Sequence, residues 1–101
     1  MTERIVHVVL VRWKDEVPDA ALAELDSLVG GLAVAVPGVV DVAWGRSVSP
    51  EGLEAGFEWG LVLTFADAAA RDGYLPHPAH RPVADIIGRW NAALAVFDVA
   101  A

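Results

Sequence analysis

Residues 5–14 run Ile5-Val6-His7-Val8-Val9-Leu10-Val11-Arg12-Trp13-Lys14. β-Branched and aromatic residues dominate, which fits a pleated strand. Side chains of a strand alternate between faces. Val6, Val8 and Leu10 share one face; His7, Val9, Val11 and Trp13 share the other. Both faces are largely apolar, so the strand has to be covered on both sides. One layer of helices meets half of that demand, and a second surface has to meet the rest.

Working outward, Pro18 and Asp19 open a helix whose Leu22, Leu25, Leu28, Val29 and Leu32 recur at helical spacing. Asp15, Glu16 and Asp19 lie near its N-terminus, where the helix dipole favours negative charge. Gly30-Gly31 weakens its last part, and Pro37-Gly38 makes a turn. Val39 to Val48 forms a second strand, with Val40, Val42 and Trp44 on one face and Asp41 opposite. Residues 49–56 form a hairpin loop. Phe57 to Ala66 forms a third strand, with Phe57, Trp59, Leu61, Leu63 and Phe65 on its heavier face.

Asp67 suits an N-cap for a short helix through Arg71, which Gly73 ends or kinks. Pro78 suits the first turn of another helix, in which Ile86, Ile87, Trp90 and Leu94 keep helical spacing. Ala95 to Val99 closes the chain as a short strand. The order β-α-β-β-α-β over residues 1–101 predicts one domain with an α+β, ferredoxin-like fold: a four-stranded antiparallel sheet with helices on one face. His7, Val9, Val11, Trp13, Trp59 and Leu61 are expected on the face that the helices leave open. A patch that large and aromatic calls for a partner. A second copy placed sheet to sheet would make a homodimer with an apolar cavity inside.

Composition narrows the function. Hydrophobic residues make up 55% of the 101, and 14 acidic against 7 basic residues give a net charge of −7. That balance repels phosphate backbones, which argues against nucleic acid, and no basic cluster suits an anionic membrane. The chain has no cysteine, so thiolate chemistry is excluded. The N-terminal residues lack the pattern of a signal peptide, and no apolar run reaches spanning length, so a cytoplasmic location is expected.

The chemistry concentrates at Tyr74-Leu75-Pro76-His77-Pro78-Ala79-His80, which holds the only tyrosine and two of the three histidines. Two prolines stiffen this corner and place His80 at the start of a helix. A neutral imidazole is poised to move protons near neutral pH. A tyrosine hydroxyl can donate to a developing oxyanion.

One reading is therefore a cofactor-free enzyme in which His80 is the base, Tyr74 the donor and His7 an orienting group. Val9, Trp13, Trp59, Leu61 and His77 would line its pocket around a small apolar ligand. The other reading is a non-catalytic dimeric scaffold or ligand-binding protein, with Tyr74 closing the pocket, His80 bonding a backbone carbonyl and His7 a satisfied core residue. A metal or haem centre is disfavoured. His77 and His80 are three apart, but no acidic partner sits beside them and Asp85 is distant.

Several short stretches, in order, carry a resemblance. They are His7 in an apolar first strand, Pro37-Gly38-Val39, Trp44-Gly45, Gly56-Phe57, Thr64-Phe65, Tyr74, His77-Pro78-Ala79-His80 and Phe97-Asp98. With them the chain resembles the stress-responsive dimeric α/β-barrel (Dabb) family. The resemblance implies a homodimer whose two sheets form a barrel. A plant member of that family closes a linear polyketide thioester by an intramolecular aldol reaction. Its catalytic Tyr and His match Tyr74 and His80, and a pocket His matches His7. A further pocket His is replaced here by Trp59.

Overall fold

The computed structural model describes residues 3–101. The strands are β1 (Ile5–Trp13), β2 (Val39–Arg46), β3 (Trp59–Phe65) and β4 (Asn91–Ala100). The helices are α1 (Asp19–Gly30), α2 (Leu32–Ala35), α3 (Ala68–Tyr74) and α4 (His80–Trp90). The strands form one sheet in the order β2-β3-β1-β4, and every neighbouring pair is antiparallel. This is the ferredoxin-like arrangement expected from the element order.

Alternation along the two central strands builds the core. Val9, Val11 and Trp13 of β1 and Leu61, Leu63 and Phe65 of β3 are buried. Leu25, Val29 and Leu32 from the first helical segment pack with them, as do Tyr74 of α3 and Val83 and Ile87 of α4.

The parity read from the sequence holds, but the layer assigned to it does not. His7, Val9, Val11, Trp13 and Leu61 lie beneath the helices rather than on the open face, with His7 6%, Val9 8% and Leu61 1% exposed. Trp59 is half-buried on the same side. The open face carries Val6, Val8, Leu10 and Val62, with half-exposed Phe97 and Val99 of β4. Both faces of β1 are apolar, so hydrophobicity alone could not choose between them. The heavier face of β3 decides, because burying its large side chains against the helices removes more apolar surface from water.

Four helix boundaries also differ from expectation, and among the strands β2 ends at Arg46, β3 runs only from Trp59 to Phe65 and β4 begins at Asn91. The first helix breaks at Gly31, so α2 is a separate turn. α3 runs through Gly73 to Tyr74, with Asp67 as N-cap accepting from the Ala70 N–H at 2.8 Å. The last helix begins at His80 rather than Pro78, because the His77 ring Nδ1 accepts from the Ala79 N–H and holds a turn there. That helix ends at Trp90, where Asn91 Nδ2 donates to the Ile87 carbonyl at 2.8 Å. Leu94 therefore belongs to β4, which pairs along the whole of β1.

Candidate functional site

Five elements converge on one cavity. β1 supplies His7 and Val9, the C-terminal end of α3 supplies Tyr74, and α4 supplies His80 at its first residue and Val83 and Ile87 further on. Leu61 of β3 and Leu94 and Val96 of β4 complete a lining that is almost wholly apolar around a volume of about 270 Å³. The polar exceptions are His7, Tyr74 and His80.

The corner between α3 and α4 is held by backbone bonds from His77 N–H to the Tyr74 carbonyl and from His80 N–H to the His77 carbonyl. It brings the Tyr74 and His80 rings to 4.5 Å between centroids. His80 Nδ1 lies 2.8 Å from the Leu75 carbonyl oxygen. A carbonyl only accepts, so Nδ1 carries the proton, and neutral His80 has its lone pair on Nε2. That is the arrangement a general base needs.

Tyr74 is 1% exposed. No described residue hydrogen-bonds its hydroxyl, and among the described residues no fully enclosed side-chain polar atom lacks a partner. The hydroxyl therefore keeps access to the cavity. Burial pushes the Tyr74 phenol up to about 12, so it is a neutral donor at ordinary pH.

His7 completes the group, 6.3 Å from Tyr74 between ring centroids. The β1–β4 register sets His7 opposite Asp98, and its Nδ1 is 2.6 Å from Asp98 Oδ1. Arg71, one turn before Tyr74, donates from Nη1 to Asp98 Oδ2 at 2.8 Å. Burial opposes ionisation of Asp98, but the bonds from Arg71 and His7 outweigh it and hold the carboxyl below its ordinary range. An ionised Asp98 accepts the Nδ1 proton, so neutral His7 also bears its lone pair on Nε2. Imidazoles of this kind remove or return protons at carbon, and a neutral phenol lining the same cavity stabilises charge on oxygen.

Of the residues singled out in the sequence, the structure brings His7, Val9, Leu61, Tyr74 and His80 to this cavity. Trp13 and Trp59 stand elsewhere. They pack against each other at 5.6 Å and border a separate cleft with Leu22, Asp26 and Arg46. His77 serves the turn before α4 instead. Asp98, the partner of His7, and Arg71, which bonds Asp98 in turn, were missed. The register of β4 on β1 was the signal that could have found Asp98. Among the described residues no group of three or more His, Asp or Glu side chains is placed to hold a metal ion.

Comparison with known proteins agrees with this fold. The chain is 28% identical over 94 residues to olivetolic acid cyclase of Cannabis sativa, covering 93% of each. Hydroxynitrile lyase from Passiflora edulis has the same fold, with a TM-score of 0.87 at 19% identity over all of this chain and 95% of that one. A dimeric ferredoxin-like protein of unknown function from Jannaschia sp. matches with a TM-score of 0.86 at 24% identity, covering 95% and 97% of the two chains. The model of the stress responsive A/B barrel domain, Dabb, matches residues 5–101, and the chain belongs to that family.

Proposed function

We propose that the chain is a cofactor-free enzyme that forms or breaks a carbon–carbon bond next to a carbonyl, as in the aldol closure of a linear polyketide thioester. In this reading His80 Nε2 removes a proton from the carbon beside the carbonyl. The freed electron pair forms the new bond to the carbon of a second carbonyl. That carbonyl's oxygen takes the negative charge and is met by the Tyr74 hydroxyl, and the proton on His80 is then returned to the product oxygen. His7 orients the substrate from β1.

The observation that carries the reading is the pairing of His80, whose Nδ1 is held by the Leu75 carbonyl so that Nε2 is left free, with the ring of neutral Tyr74 4.5 Å away between centroids, its hydroxyl without a partner among the described residues. Likeness to olivetolic acid cyclase supports cyclisation as the first chemistry to test. Turnover of a linear β-polyketoacyl thioester is the assay. His80→Ala is expected to lower the rate by about 10²–10⁴-fold, the usual contribution of a positioned acid–base group. Tyr74→Phe is expected to lower it with the fold intact. Variants that turn over like the parent end the enzyme reading.

The second reading, capture of a small apolar ligand without chemistry, draws support from the lining of the cavity, in which only three of the residues are polar. In either case we propose a homodimer formed through the open face of the sheet. The apolar row of Val8, Leu10, Val62 and half-exposed Phe97 supports it, as does the Jannaschia relative described as dimeric.

A further inference from the structure

α4 contains a glycine that the fold does not require. Gly88 sits inside the helix with no positive φ, and a methyl group at that position would meet no neighbouring atom within 4 Å. Glycine in an exposed helix disfavours folding about fivefold relative to alanine. Nothing in the packing explains why alanine is absent.

The cavity supplies the reason. Gly88 borders it, with Ala84 one turn earlier, and both are exposed. Leu94 and Val96 of β4 border the same space and are half-exposed. Further in, Val9, Leu61 and Val83 are buried. The gap between α4 and β4 is thus an apolar mouth, kept wide on the helix side by two small residues. At the inner end Tyr74 is 1% exposed, with a hydroxyl that has no partner among the described residues. That hydroxyl is open to the cavity and can donate to an oxygen placed there. A ligand with an oxygen at one end and an apolar chain at the other satisfies both features.

We propose that the gap between α4 and β4 admits the unbranched apolar chain of an uncharged ketone or thioester, and that Gly88 sets how bulky a chain passes. This rests on the reading of Tyr74 and His80 as the carbonyl-facing pair.

Unbranched 2-alkanones from 2-butanone to 2-nonanone test it, with binding followed by NMR titration of the intact protein. Affinity for the parent should rise by about two- to fourfold per methylene, the effect of burying apolar surface. Gly88→Leu should flatten that rise. Gly88→Ala should raise the melting midpoint by about 4–8 °C, the helix-propensity gain for a chain of this size. Opposite signs for stability and chain-length selectivity are the signature of a residue kept for its ligand. Gly88→Leu binding the whole series like the parent overturns the proposal, and so does Gly88→Ala melting below the parent. His80→Ala separates the two readings: it should bind the ketones normally while losing exchange of their α-protons with D₂O. Normal exchange in that variant removes the catalytic reading and leaves the mouth standing if Gly88→Leu still flattens the series.

Discussion

Replacing Asp98 with asparagine tests the chain of contacts behind His7. The substitution keeps the shape and one acceptor oxygen but removes the charge. Two bonds are affected, from His7 Nδ1 at 2.6 Å and from Arg71 Nη1 at 2.8 Å. A hydrogen bond to a charged partner contributes about 1.5–3 kcal/mol, against about 1 kcal/mol for a neutral one. The His7 side chain is 8% exposed and that of Asp98 25%, so the first bond keeps most of this difference. The Arg71 bond lies nearer solvent, where ion pairs contribute about 0–1 kcal/mol. Together the loss is about 2 kcal/mol, which lowers the melting midpoint by about 8–16 °C in a chain of this size.

The pH dependence carries the sharper test. The folded-state pKa of Asp98 is depressed, so its stabilisation is fully present above the ordinary carboxylate value of about 3.9 and is lost as pH falls through the folded value. Urea unfolding of parent and variant should show the full gap at pH 7 and a closing gap as pH drops towards 3. A variant as stable as the parent at pH 7 refutes the reasoning. A gap that stays constant into acid refutes it as well.

Other outcomes follow from the same geometry. Tyr74 holds its proton more tightly folded than unfolded, so the parent should keep its stability below pH 10 and lose up to about 3 kcal/mol as pH rises towards 12. Tyr74→Phe should lack that alkaline loss in urea titrations at pH 8 and 11.5. Val8→Asp, on the open face, should leave a folded monomer in sedimentation, whereas Val9→Asp, one residue on and beneath the helices, should abolish the folded circular-dichroism signal. Asp67→Ala removes the α3 cap and should cost about 1 kcal/mol in thermal unfolding, with the cavity otherwise intact.

The fold was legible because its signals were periodic. Leu22, Leu25 and Val29 repeat at helical spacing, and the alternation in β1 and β3 gives the faces correctly. Which face meets the helices was not legible, since Val8 and Val9 are equally apolar and only the competition between layers separates them. Leu94 looked helical for a similar reason. Its spacing from Trp90 suits a helix, but the Asn91 side chain ends α4 first. Within the site, Tyr74 and His80 were readable because they are rare residue types in a proline-stiffened segment. The pairing of Arg71, Asp98 and His7 joins residues far apart in the chain, and it depends on a strand register that no local pattern records. Trp13 and Trp59 were drawn to the pocket by their side of the sheet, but they lie at its far end.

The two-sidedness of β1 has a consequence for how this protein can change. His7 and Val9 look towards the cavity, while Val6, Val8 and Leu10 look the other way. Neighbouring codons therefore answer to different selective demands. Residues at even positions can drift with whatever surface covers the sheet, leaving the chemistry under the helices untouched. Odd positions can be retuned for a new ligand without disturbing that cover. An insertion or deletion of one residue within the strand would exchange the two sets at a stroke. Substitutions should therefore accumulate readily along β1, and length changes should be confined to its ends.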